Sequence, residues 1–443
     1  NLGHDYVAAR DDVSERAVIL RPILREKGPS SQTAASLKEA ISLASGIGLE
    51  VVFAREAQVS KPKAATLIGE GLIAELRQEI SLQKASLAIF DASLSPAQQR
   101  NLERALEIKV LDRTGLILEV FGARARTREG VLQVSLAALS YQRTRLVRSW
   151  THLERQRGGA GFTGGPGERQ IELDRRQIDN QIDRIKDQLE DVRRTRAQHR
   201  NRRQRTKAAT VALVGYTNVG KSTLFNFLTG AGVLSADQLF ATLDPTMRGV
   251  TLPSGAQIIL SDTVGFIAEL PTQLVEAFRA TLEEVTEADL ILHVHDLADP
   301  KHAVQAEDVR KVLSSLGVDR ETKKIFDVYN KVDIADHKDL DLVQPAINSG
   351  KAMAVSAISG EGVETLLNSI DKALAADGSE VVVRLSCTAG DAIAYLHRTA
   401  FTITSEADGE NLIVRAKLPK LDVDRFVKQW SGVAVVEAVG TID

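Results

Sequence analysis

Hydrophobic residues follow two alternating patterns over the first 115 positions of the chain. Four short apolar runs are typical of strands: 17–20, 49–53, 87–90 and 109–111. Three segments between them space their apolar residues three and four apart, as on one face of a helix: 34–44, 69–82 and 96–106. Strands that alternate with helices usually build a parallel sheet. We therefore expect an N-terminal α/β layer over residues 1–115.

Residues 116–207 have the spacing of two long helices. The first is predicted over 131–153. In the second, apolar residues recur four and three positions apart: Ile178, Ile182, Ile185, Leu189 and Val192. Such a heptad stripe requires a partner helix along it, and the preceding helix is the nearest candidate. We expect an antiparallel helical hairpin whose tip is the glycine-rich segment from Gly158 to Gly167.

The charge of this hairpin differs from that of the whole chain, which has 443 residues and a net charge of −3. Residues 124–207 hold about twenty Lys or Arg against about ten Asp or Glu. Seven arginines crowd the end of the second helix: Arg193, Arg194, Arg196, Arg200, Arg202, Arg203 and Arg205. The planar arginine fork suits phosphate and also stacks on bases. We favour RNA contact, and a solvated helix pair is the alternative.

Residues 208–374 open with an apolar strand that leads into a glycine-containing turn and a helix. The turn and the helix start read Gly215, Tyr216, Thr217, Asn218, Val219, Gly220, Lys221, Ser222 and Thr223. Strand, turn and helix in this order are the context of a phosphate-binding loop, in which backbone N–H groups surround phosphate oxygens. Lys221 would reach the β- and γ-phosphates and take part in catalysis, and Ser222 would bind Mg²⁺.

Two further segments follow in the order that a nucleotide switch requires. Thr242 precedes a strand and is our choice for a residue that closes over Mg²⁺ and senses the γ-phosphate, with Thr246 as the alternative. Asp262 and Gly265 form an Asp-x-x-Gly turn after an apolar strand. Asp262 would hold Mg²⁺, and the N–H of Gly265 would contact the γ-phosphate during catalysis.

The run Asn330-Lys331-Val-Asp333, which follows another buried strand, is the predicted contact with the nucleotide base. The Asp333 carboxylate can accept hydrogen bonds from N1–H and the exocyclic amine of guanine, a donor pair that adenine lacks. Asn330 would support the loop and Lys331 would lie along the base. Ser356 and Ala357 end a later strand and offer a backbone N–H to the guanine oxygen. Residues 208–374 are therefore expected to bind GTP and GDP.

A pair of histidines and a single cysteine are further candidates for chemistry. His293 and His295 lie two apart on one strand face, and a metal pair or a general base is conceivable. Because no third ligand is spaced nearby in the sequence, buried structural histidines are the favoured interpretation. The single cysteine, Cys387, rules out an internal disulfide and is expected to be buried.

The C-terminal residues 380–443 suggest the order β-α-β-β-α-β. That order predicts a small α+β domain of the ferredoxin-like type. The run Asp408-Gly409 fits the hairpin turn between the two middle strands. We assign no chemistry to this domain.

The chain resembles the HflX GTPases in several of these segments. The glycine-rich tip through Glu168, the run Ile171-Glu-Leu-Asp-Arg-Arg176, residues 240–246 and Asp112-Arg113-Thr114 are similar to that family. The resemblance implies a multidomain α/β protein with a central Ras-like P-loop domain, whose mostly parallel sheet has helices on both faces. It also implies a cytoplasmic GTPase, monomeric off the ribosome, that binds the large subunit and its RNA through the hairpin. Such a protein would split or rescue stalled ribosomes.

One position departs from the Ras-like pattern. Many related enzymes place glutamine after the switch glycine to orient the attacking water, whereas this chain has Phe266. A phenyl ring cannot direct a water proton, so we expect slow intrinsic hydrolysis that ribosome docking stimulates. The alternative is that Phe266 seals the pocket while the main chain positions the water.

The sequence leaves two rival functions open. An ATP-driven RNA-remodelling enzyme would explain the basic arm, but Asp333 argues against it. A non-enzymatic switch in ribosome assembly would use the same nucleotide site without splitting ribosomes. We find neither a signal peptide nor an apolar run that could span a bilayer, which favours a cytoplasmic protein without a membrane span.

Overall fold

The computed structural model describes residues 15–24, 36–156, 166–206, 208–230, 240, 246–268, 279–376, 378–400, 402–430 and 434–438. The Cα positions divide the chain into two compact units. The first unit comprises Asn1–Ala197, Ala236–Asp244 and Gly265–Thr281. The second comprises Gln198–Ser235, Pro245–Val264 and Leu282–Asp443. Each unit has its own hydrophobic core.

The first unit begins with the predicted α/β layer. Its elements are β1 (Arg16–Leu24), α1 (Leu37–Gly46), β2 (Glu50–Val59), α2 (Glu70–Gln83), β3 (Leu87–Phe90), α3 (Pro96–Leu106), β4 (Lys109–Asp112) and α4 (Arg113–Arg124). The four strands are parallel in the order β2-β1-β3-β4. Buried Ile19, Ile89 and Phe90 fill the sheet, so the predicted strand–helix alternation is confirmed here.

A buried arginine lies where β4 passes into α4. The Arg113 guanidinium is 2% exposed and pairs with Asp91 and Glu39. Its Nη2 also donates to the main-chain oxygen of Ala268, at 2.9 Å. Two carboxylates compensate one buried cation, so the charge of Arg113 is stable in this interior.

Two long helices follow α4: α5 (Arg128–Gln156) and α6 (Pro166–Thr206). Along α6 the predicted heptad stripe is the least exposed face, with Ile182 and Leu189 buried. An ion pair of 2.7 Å joins Arg143 of α5 to Asp179 of α6. This contact pairs residues on either side of the connection, as an antiparallel hairpin requires. Residues 157–165, most of the predicted tip, lie outside the described residues.

The second unit contains a six-stranded sheet in the order β10-β9-β8-β5-β7-β6. All its neighbouring strands are parallel except β6 and β7. The elements are β5 (Ala209–Gly215), α7 (Lys221–Thr229), β6 (Thr246–Thr251), β7 (Gln257–Asp262), α8 (Arg279–Glu287), β8 (Leu290–Asp296), α9 (His302–Ser315), β9 (Lys324–Asn330), α10 (His337–Asn348), β10 (Ala352–Ala354) and α11 (Val363–Ala376). Parallel strands end at one edge, and that edge is where ligands bind in open α/β sheets.

The last part of the chain has the predicted order of strands and helices. Its elements are β11 (Gly378–Ser386), α12 (Gly390–Thr399), β12 (Thr402–Asp408), β13 (Asn411–Pro419), α13 (Lys420–Gln429) and β14 (Ala434–Ala438). The antiparallel sheet runs β12-β13-β11-β14, which is the ferredoxin-like order. One expectation was wrong: Cys387 is exposed, because β11 ends at Ser386 and the cysteine begins the following turn.

Among the described residues, none of the helices has both the length and the apolar character that a bilayer crossing requires.

Candidate nucleotide-binding site

The predicted phosphate loop connects the end of β5, a central strand, to the start of α7. A side chain at Gly215 would collide with the main-chain oxygen of Val294, and one at Gly220 would collide with Asn330. Gly220 also has a φ of 91°, in the left-handed region that favours glycine. Asn218 adopts positive φ as well. The loop is therefore tightly curled, and its glycines are required by space and by backbone conformation.

Lys221 begins α7 and folds back over this loop. Its Nζ donates hydrogen bonds to the main-chain oxygens of Gly215, at 3.1 Å, and Tyr216, at 2.8 Å. Burial lowers the pKa of Lys221 to about 8, and the nearby charge of Asp262 partly opposes this shift. An ammonium group with reduced hydration is suited to bind an anion such as a phosphate group.

Ser222 and Asp262 meet beside the loop although 40 positions separate them. The Ser222 hydroxyl donates to the Asp262 carboxylate at 2.7 Å. Asp262 ends β7, which pairs in parallel with β5, so strand register brings the two residues together. The next residue, Thr263, anchors this end of the strand by donating to the Leu213 carbonyl at 2.6 Å. A hydroxyl and a carboxylate are hard oxygen donors of the kind that Mg²⁺ prefers.

The run from Asn330 to Asp333, the predicted base-reading segment, is joined to the predicted phosphate loop by one buried side chain. Asn330 ends β9, and its Nδ2 donates to the Val219 carbonyl at 2.8 Å. Its Oδ1 accepts from the Ala357 N–H at 3.0 Å. The side chain of Asn330 thus links the phosphate loop to the segment after β10.

Lys331 and Asp333 follow Asn330 in the loop after β9. Lys331 has a φ of 65° and donates to the Asn218 carbonyl at 2.9 Å and to Asp296 at 2.6 Å. Asp333 is exposed, so its carboxylate is open to a ligand. Ser356 is fully buried, and its hydroxyl accepts from the Ser359 N–H at 3.1 Å.

Asp296, the partner of Lys331, was missed by sequence reasoning. It ends β8, between the strands that carry the phosphate loop and Asn330. A carboxylate at the end of a central parallel strand was the signal that could have found it.

The remaining predicted residues are only partly placed. Thr242 lies outside the described residues, and Thr246 begins β6. Gly265 falls in the first unit, so its contact with the γ-phosphate stays a prediction. Phe266 is buried, at 2% exposure.

Four family models match successive parts of the chain. They are described as GTP-binding GTPase N-terminal (residues 34–122), GTP-binding GTPase Middle Region (124–203), 50S ribosome-binding GTPase (210–331) and HflX C-terminal domain (341–422). A GTPase HflX from Magnetococcus marinus is 50% identical over 397 residues, covering 90% of this chain and 90% of the relative. The GTPase HflX of Escherichia coli is 40% identical over 95% of this chain and 97% of its own length.

The chain belongs to the HflX family of GTPases. It is therefore a multidomain α/β GTP hydrolase with a P-loop domain, and the resemblance seen in the sequence is confirmed. A Sulfolobus solfataricus GTP-binding protein in complex with GDP is 24% identical over 81% of this chain and 98% of that chain. The TM-score of that comparison is 0.43.

Proposed function

We propose that this HflX-family chain is a cytoplasmic ribosome-associated factor that binds the large subunit and splits stalled ribosomes in a GTP-dependent way. The observation that carries the proposal is the continuity between the phosphate loop and the base-reading segment through Asn330. The match of residues 210–331 to a 50S ribosome-binding GTPase model supports the choice of partner.

At the triphosphate end, the curled segment from Gly215 to Thr223 surrounds the phosphates, and Lys221 neutralises charge on the β- and γ-groups. The residues proposed to hold Mg²⁺ are Ser222, Thr242 and Asp262. The adjacent Ser222 and Asp262 oxygens fit that ion. When bound, Mg²⁺ supplies further positive charge to the β- and γ-phosphates.

At the base end, Asp333 accepts hydrogen bonds from guanine. The expected N–H donor to the guanine oxygen is corrected: the N–H groups of Ser356 and Ala357 donate to the Glu361 carbonyl and to Asn330, so they support this segment instead. Asn330 and Ser356 hold the segment in place from buried positions. Lys331 lies along the base. This arrangement favours guanine because adenine would leave the Asp333 carboxylate without its two donors.

Hydrolysis is proposed to be slow until the ribosome docks. Gly265 and Thr242 would sense the γ-phosphate, but Phe266 offers no group that orients water. Charge or positioning supplied from outside the chain would then raise the rate by several orders of magnitude, as an arginine does in related systems.

The hairpin of α5 and α6 is the proposed contact with ribosomal RNA. Arg175, Arg176, Arg184 and Arg194 are exposed along α6, and arginine binds phosphate in a bidentate manner. We propose four functional parts: 1–115, the hairpin 116–207, the GTP-binding domain 208–374 and the C-terminal domain 380–443. The chain is proposed to be monomeric off the ribosome.

A light-scattering assay of intact ribosomes tests this function. With excess purified chain, we expect subunit separation in GTP and in a non-hydrolysable analogue and little in GDP. Lys221→Ala should give none at a GTP concentration that saturates only the wild type. Lys351→Ala, at an exposed position, is the matched control. If the chain binds only immature ribosomal particles and does not split intact ribosomes, a role as a switch in ribosome assembly would be supported and the splitting function would be wrong. Splitting by Lys221→Ala at the wild-type rate would contradict the mechanism.

A further inference from the structure

A cluster of three metal-ligating side chains lies inside the sheet of the second unit. His293 and His295 are on β8, and Asp327 is on the neighbouring β9. Parallel register places His293 opposite Asp327, so all three side chains project from the same face. The sequence spacing offered no third ligand near the histidines, and strand pairing supplies it.

The donor atoms of this cluster are spaced like the ligands of one ion. The Nε2 atom of His295 is 3.1 Å from Oδ1 of Asp327, and Nδ1 of His293 is 3.5 Å from the same oxygen. The three donor atoms all lie within 4.8 Å of one another. Two ligands bound about 2.0–2.1 Å from one tetrahedral Zn²⁺ lie about 3.4 Å apart. Both histidines thus converge on a single carboxylate oxygen, at separations that hydrogen bonds or a shared ion would each allow.

Neighbouring groups orient the three donors. Arg320 bonds the other oxygen of Asp327, which leaves Oδ1 facing the histidines. The Tyr329 ring stacks on His295 with centroids 5.0 Å apart. Groups that fix a ligating carboxylate or imidazole from behind commonly accompany metal sites in proteins.

The cluster is buried, and burial affects the pKa of each of its members. Burial lowers the pKa of His293 to about 4 and also lowers that of His295. Burial alone would raise the pKa of Asp327, but the two histidines hold it well below its usual range. The imidazole nitrogen that faces Asp327 binds an ion only in the tautomer that carries its proton on the other nitrogen.

We propose that His293, His295 and Asp327 bind a transition-metal ion of the Zn²⁺ class, with water as a fourth ligand. Two imidazoles and a carboxylate suit Zn²⁺, whereas Mg²⁺ prefers oxygen donors alone. The site is separate from Ser222 and Asp262. The bound ion would link β8 to β9 a few residues before Asp296 and Asn330, where these strands end. Its binding would therefore stiffen the strand that leads into the base-reading segment.

Cobalt(II) absorption of the full-length chain tests the site. The protein is stripped with a chelator, saturated with GDP and Mg²⁺ so that the phosphate loop cannot take the probe, and titrated with Co²⁺. We expect one equivalent with the visible bands of a four-coordinate ion, displaced by one equivalent of Zn²⁺. His337→Gln, at an exposed histidine, should behave like wild type.

Asp327→Asn and His295→Gln should each weaken binding at least about a hundredfold, while GDP affinity shows that the variants remain folded. Equal Co²⁺ binding by these variants and wild type would overturn the proposal. If either variant fails to fold, X-ray absorption of the zinc-loaded wild type decides. Two imidazoles and oxygen around zinc support the site; absence of imidazole, or no stoichiometric zinc, contradicts it.

Discussion

The phosphate end and the base end of the nucleotide site are built in different ways. The predicted phosphate end is one continuous turn with two space-limited glycines and the buried Lys221. At the predicted base end, Asn330 and Ser356 are buried, and the Asp333 carboxylate is exposed. On the proposed function, the phosphate end would depend on backbone geometry for affinity, whereas the base end would depend on the Asp333 carboxylate for specificity.

The largest change is expected at the base end. Asp333→Asn replaces a double acceptor with an amide whose N–H groups face the guanine donors. GTP affinity should fall on the order of a thousandfold, because two charge-assisted hydrogen bonds are lost. Xanthosine triphosphate, which carries an oxygen in place of the guanine amine, should bind the variant better than GTP does. Equilibrium binding of both nucleotides checks this, with Asp341→Asn, an exposed aspartate, as control. If Asp333→Asn still preferred GTP to xanthosine triphosphate as the wild type does, Asp333 would not be the residue that recognises guanine.

At the phosphate end, Lys221→Ala should lower the affinity for GTP and GDP about a hundredfold, because a charged group that contacts phosphate is lost. Guanine preference should remain, since the base end is intact. Competition by GTP and ATP against a fluorescent GDP analogue measures both quantities. Loss of guanine preference along with affinity would show that the two ends are not separable.

The link between the two ends is tested by Asn330→Ala. The substitution leaves the Val219 carbonyl and the Ala357 N–H without their buried partner, which should cost about 2 kcal/mol of the free energy of unfolding. The affinity for GDP and for GTP should also fall about tenfold, because the substitution removes a support shared by the phosphate end and the base end. Denaturant unfolding and nucleotide titration measure this, and Asn348→Ala, an exposed asparagine, serves as control. A variant with wild-type stability would contradict the linking role.

The smallest effect concerns pH. The pKa of Lys221 is lowered to about 8 by burial, and phosphate oxygens should raise it again in the complex. Binding then takes up a proton above pH 8, so affinity should fall about eightfold between pH 7.5 and pH 9. Lys221→Arg stays charged and should lose this dependence, while ionisation of guanine affects both proteins alike. Identical pH profiles would show that Lys221 does not titrate in this range.

Local pattern predicted most of the fold. The strand–helix alternation before residue 115, the stripe on α6 and the β-α-β-β-α-β order all follow from periodicity that the elements keep after folding. Cys387 was misplaced because hydrophobicity alone does not tell where a strand ends. The turn after Ser386 exposes it.

Contacts between distant segments were harder to predict. The phosphate loop and the Asn330 segment were found as motifs, but the hydrogen bonds that join them depend on strand order. The same holds for Asp296, for Asp327 beside the histidines, and for Arg113 among its carboxylates. Register between strands creates these pairs, and no single sequence window contains both partners.

Displacement of a fluorescent GDP analogue from the purified full-length chain tests the central claim most directly. The account predicts that GTP and GDP displace it at concentrations near the protein's own, and that a thousandfold excess of ATP does not. Displacement by ATP as readily as by GTP would contradict guanine recognition by the segment that Asn330 supports.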